Sequence, residues 1–227
     1  MRRRTIRIEE QIIYEDQEIL VCRKLPGIPV QSSHVGTVDL ESAVKTYLAS
    51  RGEAAYAGVI HRLDQPVQGI IVFAKNQRAA GELSRQMRQG EMEKLYLAAV
   101  DGIPCQEQDR LEDELEKIPG SNLSKVTEKK TASSKKAILE YKVLKTHEGR
   151  ALLEIRLYTG RHHQIRVQLA HRGMPICGDS KYNPKCRENN GQWQELALCA
   201  YKLSFQHPVS KKKMEFTAMP VGNFPMV

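Results

Sequence analysis

Residues 61–75 read His-Arg-Leu-Asp-Gln-Pro-Val-Gln-Gly-Ile-Ile-Val-Phe-Ala-Lys, in which a polar stretch leads directly into an unbroken apolar run. The apolar part, Gly69 to Lys75, is typical of a strand in the middle of a sheet that is covered on both faces. The polar part then lies in a loop that feeds a buried strand, where a sheet edge holds side chains rigidly. This stretch therefore predicts both a central strand and the place of a functional site.

Further strands are predicted on both sides of this run. The β-prone runs 11–14 and 19–22 are separated by four acidic or amide residues, which is the pattern of a hairpin, and a turn follows at Leu25-Pro26-Gly27. A second hairpin turn is predicted at His147-Glu148-Gly149. The remaining strands are predicted at 94–100, 137–145, 150–158, 196–205 and 214–218.

Three helices are predicted from apolar spacing and end signals. The first runs over 40–50 with Asp39 or Thr37 as its cap, and the second follows the cap Asn76 and stops at Gly90. The third is expected over 162–172, stopped by glycine.

The stretch 101–136 is polar and has little apolar periodicity, so it predicts a long excursion with at most one short element.

Strands outnumber helices in this pattern, and hairpins join several neighbours. We therefore expect an α+β fold with a mixed, largely antiparallel sheet and helices packed on it. The length of 227 residues and the hydrophobic fraction of 41% suit one folded core. We expect residues 1–227 to form a single domain, with two lobes that share the sheet.

Composition narrows the setting of the protein. The net charge of +8 favours a polyanionic partner, although such a charge also serves solubility alone. The five cysteines form no CxxC pair, which favours a reducing cytoplasm. The basic start Met1-Arg2-Arg3-Arg4 is followed by no apolar run, so neither a signal peptide nor a membrane span is expected.

Two polar segments of the sequence contain candidate site residues. In the first, Arg62 and Asp64 lie two positions apart, which fits either a catalytic loop or an ordinary surface salt bridge. The second, residues 160–171, reads Gly-Arg-His-His-Gln-Ile-Arg-Val-Gln-Leu-Ala-His and fits either an anion site at a helix start or a basic amphipathic helix. Adjacent His162 and His163 would point apart on a helix, and the cysteine and histidine spacings do not match a zinc site.

Taken together, these segments resemble the sequence motifs of the RluA-type RNA pseudouridine synthases. His-Arg-Leu-Asp at 61–64 with the strand ending Phe-Ala-Lys, Lys-x-Tyr-x-Ala at 94–98, and Gly-Arg-x-His-Gln-Ile-Arg at 160–166 occur in the family's order. Residues 178–182 and 203–208 are similar to the family's tail, so the resemblance runs from about residue 14 to 220. It implies the pseudouridine synthase fold and the isomerisation of uridine to pseudouridine in RNA.

The resemblance also implies roles for individual residues. Asp64 corresponds to the nucleophile, Arg166 to its cationic partner, and Tyr96 to the residue that lies against the uracil ring and moves a proton. Arg62 corresponds to the residue that fills the space of the flipped base. No cofactor and no metal are implied, because an isomerisation exchanges no group or electron with a second substrate.

Two departures from the family motifs occur. Val67-Gln68 stands where Thr-Ser is usual, and His162 replaces a usual Thr, so the polar support of the loop is expected to differ. The catalytic pattern starts so early that we expect no N-terminal S4-like domain, which leaves ribosomal RNA and transfer RNA both open as substrates. We expect a cytoplasmic monomer.

Two rival hypotheses stay open at this point. One is a catalytically silent RNA-binding module of the same fold, and the other is a metal-dependent hydrolase built on the histidines and Asp179. The presence of Asp64 argues against the first, and insensitivity to a chelator would argue against the second.

Overall fold

The computed structural model describes residues 6–32, 37–188 and 195–227, and the basic start at 1–4 lies outside them. The chain divides into two compact units, one formed by Met1–Glu93 with Ala200–Met219 and the other by Lys94–Cys199 with Pro220–Val227. In chain order the elements are a 3₁₀-helix (Ile8–Gln11), β1 (Ile12–Glu15), β2 (Ile19–Lys24), α1 (Leu40–Ser50), β3 (Gly58–Val59), β4 (Gln68–Ala74), α2 (Gln77–Gln89), β5 (Glu93–Asp101), β6 (Gln108–Lys117), β7 (Ser124–Thr127), β8 (Lys135–His147), β9 (Arg150–Leu157), α3 (Gln164–His171), α4 (Lys185–Glu188), β10 (Leu198–Gln206) and β11 (Lys213–Thr217).

Strand β4 is the centre of the first unit. Its neighbours are β2, which runs antiparallel to it, and β10, with β1 beyond β2 and β11 beyond β10. Every residue of β4 is buried, and Ile70 and Val72 pack with Ala79 and Leu83 of α2 in one core cluster. The prediction of a central strand covered on both faces is confirmed.

The predicted ends of α1 and α2 are also confirmed. The Asp39 side chain accepts the N–H of Ser42, and the Asn76 side chain accepts the N–H of Ala79, so each cap satisfies a backbone donor of the first turn. Gly90 ends α2 in the left-handed conformation, with φ of 71°.

The second unit contains an antiparallel sheet in the order β5, β9, β8, β6, β7. Strands β8 and β9 are joined through the predicted tight turn, where Glu148 and Gly149 have positive φ of 47° and 74°. Helix α3 packs on this sheet, with Val167 against Leu115 and Ala137. The helices and antiparallel strands confirm the expected α+β class.

The prediction for 101–136 is wrong, because the stretch contains β6 and β7 and the start of β8. Few of its residues face a core, so apolar periodicity is weak; Leu111 and Leu115 are the buried pair on β6. The charges serve instead as cross-strand partners: Arg110 contacts Glu140 at 2.8 Å. Their pairing depends on β8, which lies far along the sequence.

The third helix is shorter than predicted, beginning at Gln164 rather than at 162. His163 takes the left-handed conformation, with φ of 55°, which no helical residue adopts. The two histidines therefore precede the helix and are not on it.

Within the described ranges, no helix is long and apolar enough to cross a membrane.

Gly69 marks a close approach between β4 and β10. Its φ is +135°, and a Cβ built on it would lie 2.3 Å from the carbonyl oxygen of Ala200 and 2.6 Å from the Ala200 nitrogen. Both atoms belong to a strand backbone that cannot move without breaking sheet hydrogen bonds. The start of β4, directly after the polar loop, therefore requires glycine.

We predict that Gly69→Ala lowers the free energy of unfolding by about 2–4 kcal/mol or more, since it adds backbone strain and an overlap with Ala200. Urea denaturation followed by circular dichroism measures this. Gly81→Ala is the matched control, because Gly81 lies within α2 and a Cβ there meets nothing within 4 Å. That variant should gain about 0.5–1 kcal/mol. Equal stability of the Gly69 variant and the wild type would contradict the argument.

Candidate active site

The loop between β3 and β4 carries the first two candidate residues, Arg62 and Asp64. The side chains alternate along it: Arg62 is exposed, Leu63 is buried in the core, and Asp64 is partly buried. A turn follows, in which the N–H of Val67 donates to the carbonyl oxygen of Asp64 at 2.9 Å. The buried Leu63 and Val67 thus anchor the loop on both sides of Asp64.

A buried lysine binds backbone carbonyl oxygens of this loop. The ammonium group of Lys24, at the end of β2, has no solvent exposure and donates to the carbonyl oxygens of Leu25 (3.3 Å), Gln65 (2.9 Å) and Val67 (2.6 Å). The next turn adds two contacts, from the N–H of Gly27 to the Gln65 carbonyl and from the Gln65 amide to the Gly27 carbonyl. The backbone around Asp64 is therefore held by a cation and by a neighbouring turn.

The electrostatics of Lys24 follow from its position. Burial lowers its pKa from the ordinary 10.5 to about 7, while the Asp64 carboxylate acts in the opposite direction. That direction is the one expected of a negative charge near a lysine.

Arg62 behaves differently from its loop neighbours. Within residues 6–32, 37–188 and 195–227 its exposed guanidinium forms no ion pair. The surface salt bridge between Arg62 and Asp64, one of the two interpretations of the spacing, is therefore absent from the described residues. His61, at the start of the motif, is buried and accepts the N–H of Val72 at Nε2, 3.4 Å away.

The other two candidates, Tyr96 and Arg166, belong to the second unit. Tyr96 lies on β5 opposite Ile155 of β9 and is 6% exposed. Arg166 lies on the first turns of α3 and is 3% exposed. The interaction of Arg166 with Asp64 stays a prediction.

Arg166 forms a buried, bidentate ion pair with Asp179. Its Nε donates to Oδ2 at 2.7 Å and its Nη2 to Oδ1 at 2.6 Å, and Asp179 has no solvent exposure. Oδ1 also accepts the backbone N–H groups of Lys181 (3.0 Å) and Tyr182 (3.2 Å). The carboxylate is thus fixed by its own turn and presents a rigid edge to the guanidinium.

Gly178 explains why this turn has its shape. Its φ is +74°, and a Cβ there would lie 2.1 Å from the carbonyl oxygen of Glu195. The Gly-Asp pair at 178–179 therefore combines a backbone that only glycine tolerates with the carboxylate that Arg166 needs.

Tyr182 covers the face of Arg166. Its ring centroid lies 5.3 Å from the guanidinium carbon, within cation–π range. Its hydroxyl accepts the N–H of Ser124 at 2.7 Å and is hydrogen-bonded to Nδ1 of His163 at 2.8 Å. Burial and the nearby Arg166 lower the pKa of His163 to about 2, so this ring is neutral.

His162 and His163 do not point apart, which corrects the prediction made for adjacent histidines on a helix. Their rings stack with centroids 3.8 Å apart, because His163 is left-handed and the helix has not begun. His162 is also hydrogen-bonded to Ser124, the first residue of β7, at 2.8 Å and to Asn122 of the β6–β7 connection at 2.9 Å. The departure from the usual threonine therefore contributes contacts to the stretch that was predicted as an excursion.

No group of three or more histidine, cysteine, aspartate or glutamate side chains is arranged to hold a metal ion in the part of the chain that the structure describes.

Sequence reasoning missed Lys24. It placed Asp179 and Tyr182 in the tail motif at 178–182, but it gave Tyr182 no role and Asp179 a role only in the rival hydrolase. Lys24 ends an apolar strand and precedes Leu-Pro-Gly, and a lysine inside such a run is the signal that would have found it. No periodicity marks Asp179 or Tyr182. Their significance depends on a contact with α3, which lies earlier in the chain.

Comparisons with known proteins agree with this geometry. A family profile described as RNA pseudouridylate synthase matches residues 18–171, a span that includes Asp64, Tyr96 and Arg166. An uncharacterized RNA pseudouridine synthase of Aquifex aeolicus is 33% identical over 216 residues, covering 90% of this chain and 67% of that protein. Ribosomal large subunit pseudouridine synthase C of Rickettsia bellii is 36% identical, covering 76% of this chain and 56% of that protein.

Solved structures show the same fold. The human RNA pseudouridylate synthase domain containing 4 superposes with a TM-score of 0.79 at 20% identity, covering 96% of this chain and 91% of that chain. The domain containing 1 protein gives a TM-score of 0.75 over 92% and 83% of the two chains. The pseudouridine synthase fold is therefore confirmed.

The fold and the matched span define an RNA-modifying isomerase. The chain belongs to the RluA-type RNA pseudouridine synthases, which convert uridine in RNA to pseudouridine.

The lowered pKa of Lys24 generates a pH-dependent prediction. Between about pH 7 and 10.5 the unfolded chain holds the Lys24 proton and the folded chain does not, so rising pH stabilises the fold. Lys24→Met removes this dependence. We expect the stability advantage of the wild type over the variant to be larger at about pH 9.5 than at pH 6.5, by about 3 kcal/mol.

Lys75→Met is the control for this experiment. Burial alone would lower the pKa of Lys75, but hydrogen bonds to Glu15 and Glu53 outweigh it and raise the pKa above 10.5. Its contribution is therefore constant between the two pH values and is lost only at higher pH. Urea denaturation of the three proteins at both pH values decides the matter. A Lys24 effect that is independent of pH would overturn the argument.

Proposed function

We propose that this protein isomerises specific uridines in ribosomal or transfer RNA to pseudouridine, with Asp64 as the nucleophile. The match of residues 18–171 to the family carries this proposal, because it contains Asp64, Tyr96 and Arg166 in the family's order. Isolation of RNA from cells with and without the protein, followed by mapping of pseudouridine, tests which uridines depend on it.

The chemistry needs few groups. The bond between the sugar and N1 of uracil breaks, the base turns, and a bond forms from the sugar to C5. C5 loses its proton and N1 gains one, so the net change is an isomerisation. A carboxylate that forms a transient covalent link divides this change into easier steps. Asp64 supplies the carboxylate, and Tyr96 is the candidate base that moves the proton.

The geometry supports Asp64 in this role. Its loop is held by the buried ammonium of Lys24 and by anchoring side chains, so the backbone that carries the carboxylate is fixed. Arg166 is proposed as the partner of the Asp64 carboxylate.

Arg62 is proposed to fill the space of the flipped base. A stacked uridine must leave the helix before it can react, which costs a few kcal/mol. A planar guanidinium offers a surface for the neighbouring bases in its place. Arg62 is exposed and forms no ion pair within the described ranges, so its guanidinium is not committed to a carboxylate there.

Two relatives with specific names favour ribosomal RNA. They are called ribosomal large subunit pseudouridine synthase C and D, and the second, from Zymomonas mobilis, is 31% identical over 92% of this chain. The chain spans 56% and 68% of the length of these two relatives. We propose further that the enzyme acts in the cytoplasm as a monomer, without a metal or a cofactor, and activity that persists in excess EDTA would agree with this.

We predict that Asp64→Asn abolishes pseudouridine formation, by at least about 10³-fold in rate, because the amide is nearly isosteric but a far poorer nucleophile. RNA binding and thermal unfolding should change little. The measurement is tritium release from C5-labelled uridine in RNA, with binding followed by filter retention.

Asp109→Asn, on the exposed surface of β6, is the control and should retain wild-type rates. Substantial product from the Asp64 variant would refute the nucleophile assignment. Wild-type protein that binds RNA and forms no pseudouridine on any RNA would instead favour the silent binding module.

For Arg62 we predict that Arg62→Ala slows single turnover severely on a stem-loop, by about 10²-fold or more, and much less on an RNA whose target uridine is bulged. Arg62→Lys should rescue poorly, since charge without a flat surface does not replace the stacked base. The kinetics of both variants are compared on the two RNAs.

Arg88→Ala controls for the loss of one exposed positive charge in the same unit and should affect both RNAs slightly and equally. If Arg62→Ala also loses the same factor on both RNAs, Arg62 is a phosphate contact and the flipping role is rejected.

A further inference from the structure

The ion pair between Arg166 and Asp179 changes what Arg166 can contribute to the reaction. The two side chains are 3% and 0% exposed and are joined by two parallel hydrogen bonds of 2.7 and 2.6 Å. The pair carries no net charge, so the carboxylate offsets part of the positive potential of the guanidinium. At about 4 Å beyond the guanidinium, on the side away from Asp179, roughly half of that potential remains. Arg166 is therefore a weaker source of positive potential than an arginine without a carboxylate partner.

The pair nevertheless fixes the orientation of the Arg166 guanidinium. Two donors of the guanidinium are bound to Asp179, and Oδ1 of Asp179 is itself held by the N–H groups of Lys181 and Tyr182. The plane of a bidentate guanidinium follows the plane of its carboxylate. Its remaining donors are then aimed by a turn of backbone rather than by the flexible arginine side chain.

Tyr182 limits the rotation of the Arg166 guanidinium out of the plane of the Asp179 carboxylate. Its ring lies 5.3 Å from the guanidinium carbon, and its hydroxyl is tied to Ser124 and His163 on either side. Rotation of the guanidinium out of the Asp179 plane would meet this ring. His163 is neutral, so it adds no charge that competes for Asp179.

We infer that Asp179 is a positioning residue, and that Arg166 acts in catalysis as an oriented hydrogen-bond donor rather than as a source of net positive charge. The inference rests on the proposed function, since it assigns how one candidate residue of that site works. The two alternatives make opposite predictions for Asp179. If Arg166 acted through its net charge, replacement of Asp179 by a neutral residue would increase the positive potential at the site and raise kcat. If Arg166 acts through the orientation of its hydrogen-bond donors, the same replacement would disorder the guanidinium and lower kcat.

The test is steady-state kinetics of Asp179→Asn on an RNA that the wild type modifies. We expect kcat to fall about 10²-fold with KM within about threefold, because misplacement of a reacting group by about 1 Å costs this much while RNA contacts are unchanged. An unchanged or raised kcat would overturn the inference. An inactive wild type would instead contradict the proposed function.

Asp113→Asn is the matched control. Asp113 binds Gln168 of α3 (2.7 Å) and Arg172, which directly follows α3 (2.9 Å), so its loss weakens the attachment of α3 without touching the Arg166 pair. Both aspartate variants should melt at lower temperatures, but the control should keep kcat within about threefold. An equal loss of kcat in both would show that Asp179 acts only through the stability of α3.

Arg166→Lys makes the test independent of whether the Asp179 variant folds. Lysine keeps the positive charge beside Asp179 and lacks the planar fork. We expect kcat to fall about 10²-fold as well, and the double variant R166K/D179N to lose little more than R166K alone. A lysine variant with more than about a tenth of wild-type kcat would mean that charge suffices. Fully multiplicative losses in the double variant would mean that the two residues act separately.

Discussion

The buried ammonium of Lys24 is the contact on which the loop of Asp64 depends. An unhydrated cation must find oxygen atoms inside the protein, and here all three are backbone carbonyls, two of them in the Asp64 loop. Displacement of the loop would leave the ammonium without most of its acceptors, at a cost of about 1–3 kcal/mol for each. The position of the Asp64 loop therefore depends on the hydrogen bonds that the buried Lys24 ammonium requires, and not on packing alone.

The second unit uses a cation in the same way, but with a different acceptor. Arg166 is bound to a carboxylate, whereas Lys24 is bound to neutral carbonyls. A lysine surrounded by neutral acceptors responds to burial with a lowered pKa, while an arginine remains protonated at any relevant pH. One site thus holds a charge that can titrate near neutrality, and the other holds a permanent one. Each cation constrains the residues around it according to that difference.

Local signals explain why much of the fold could be predicted. The apolar run of β4 and the caps Asn76 and Gly90 act on their own neighbours, so they were readable without any tertiary information. Strand β6 was not readable, because its charged residues find their partners on β8, about thirty positions away, as Arg110 does with Glu140. Its alternation is therefore of charge and not of hydrophobicity.

The residues of the candidate site show the same difference between local sequence signals and contacts with distant residues. Arg62, Asp64, Tyr96 and Arg166 were identified from motifs, whereas the residues that hold them were not. Lys24 donates to Val67 across 43 positions of sequence, and nothing near either residue indicates that contact. The left-handed His163 was equally hidden, since a histidine with positive φ is stabilised by its surroundings and not by its own preference.

The charged face of β6 and β8 has a consequence for how RNA approaches. Lys136, Glu112, Arg110 and Glu140 form a continuous row of ion pairs with two positive and two negative members. These four side chains have no net charge together, so they add little to the long-range field around the protein at physiological ionic strength. The net charge of +8 therefore comes from other residues of the chain. A row whose charges are already paired attracts a phosphate backbone less than the same number of lysines and arginines without acidic partners would.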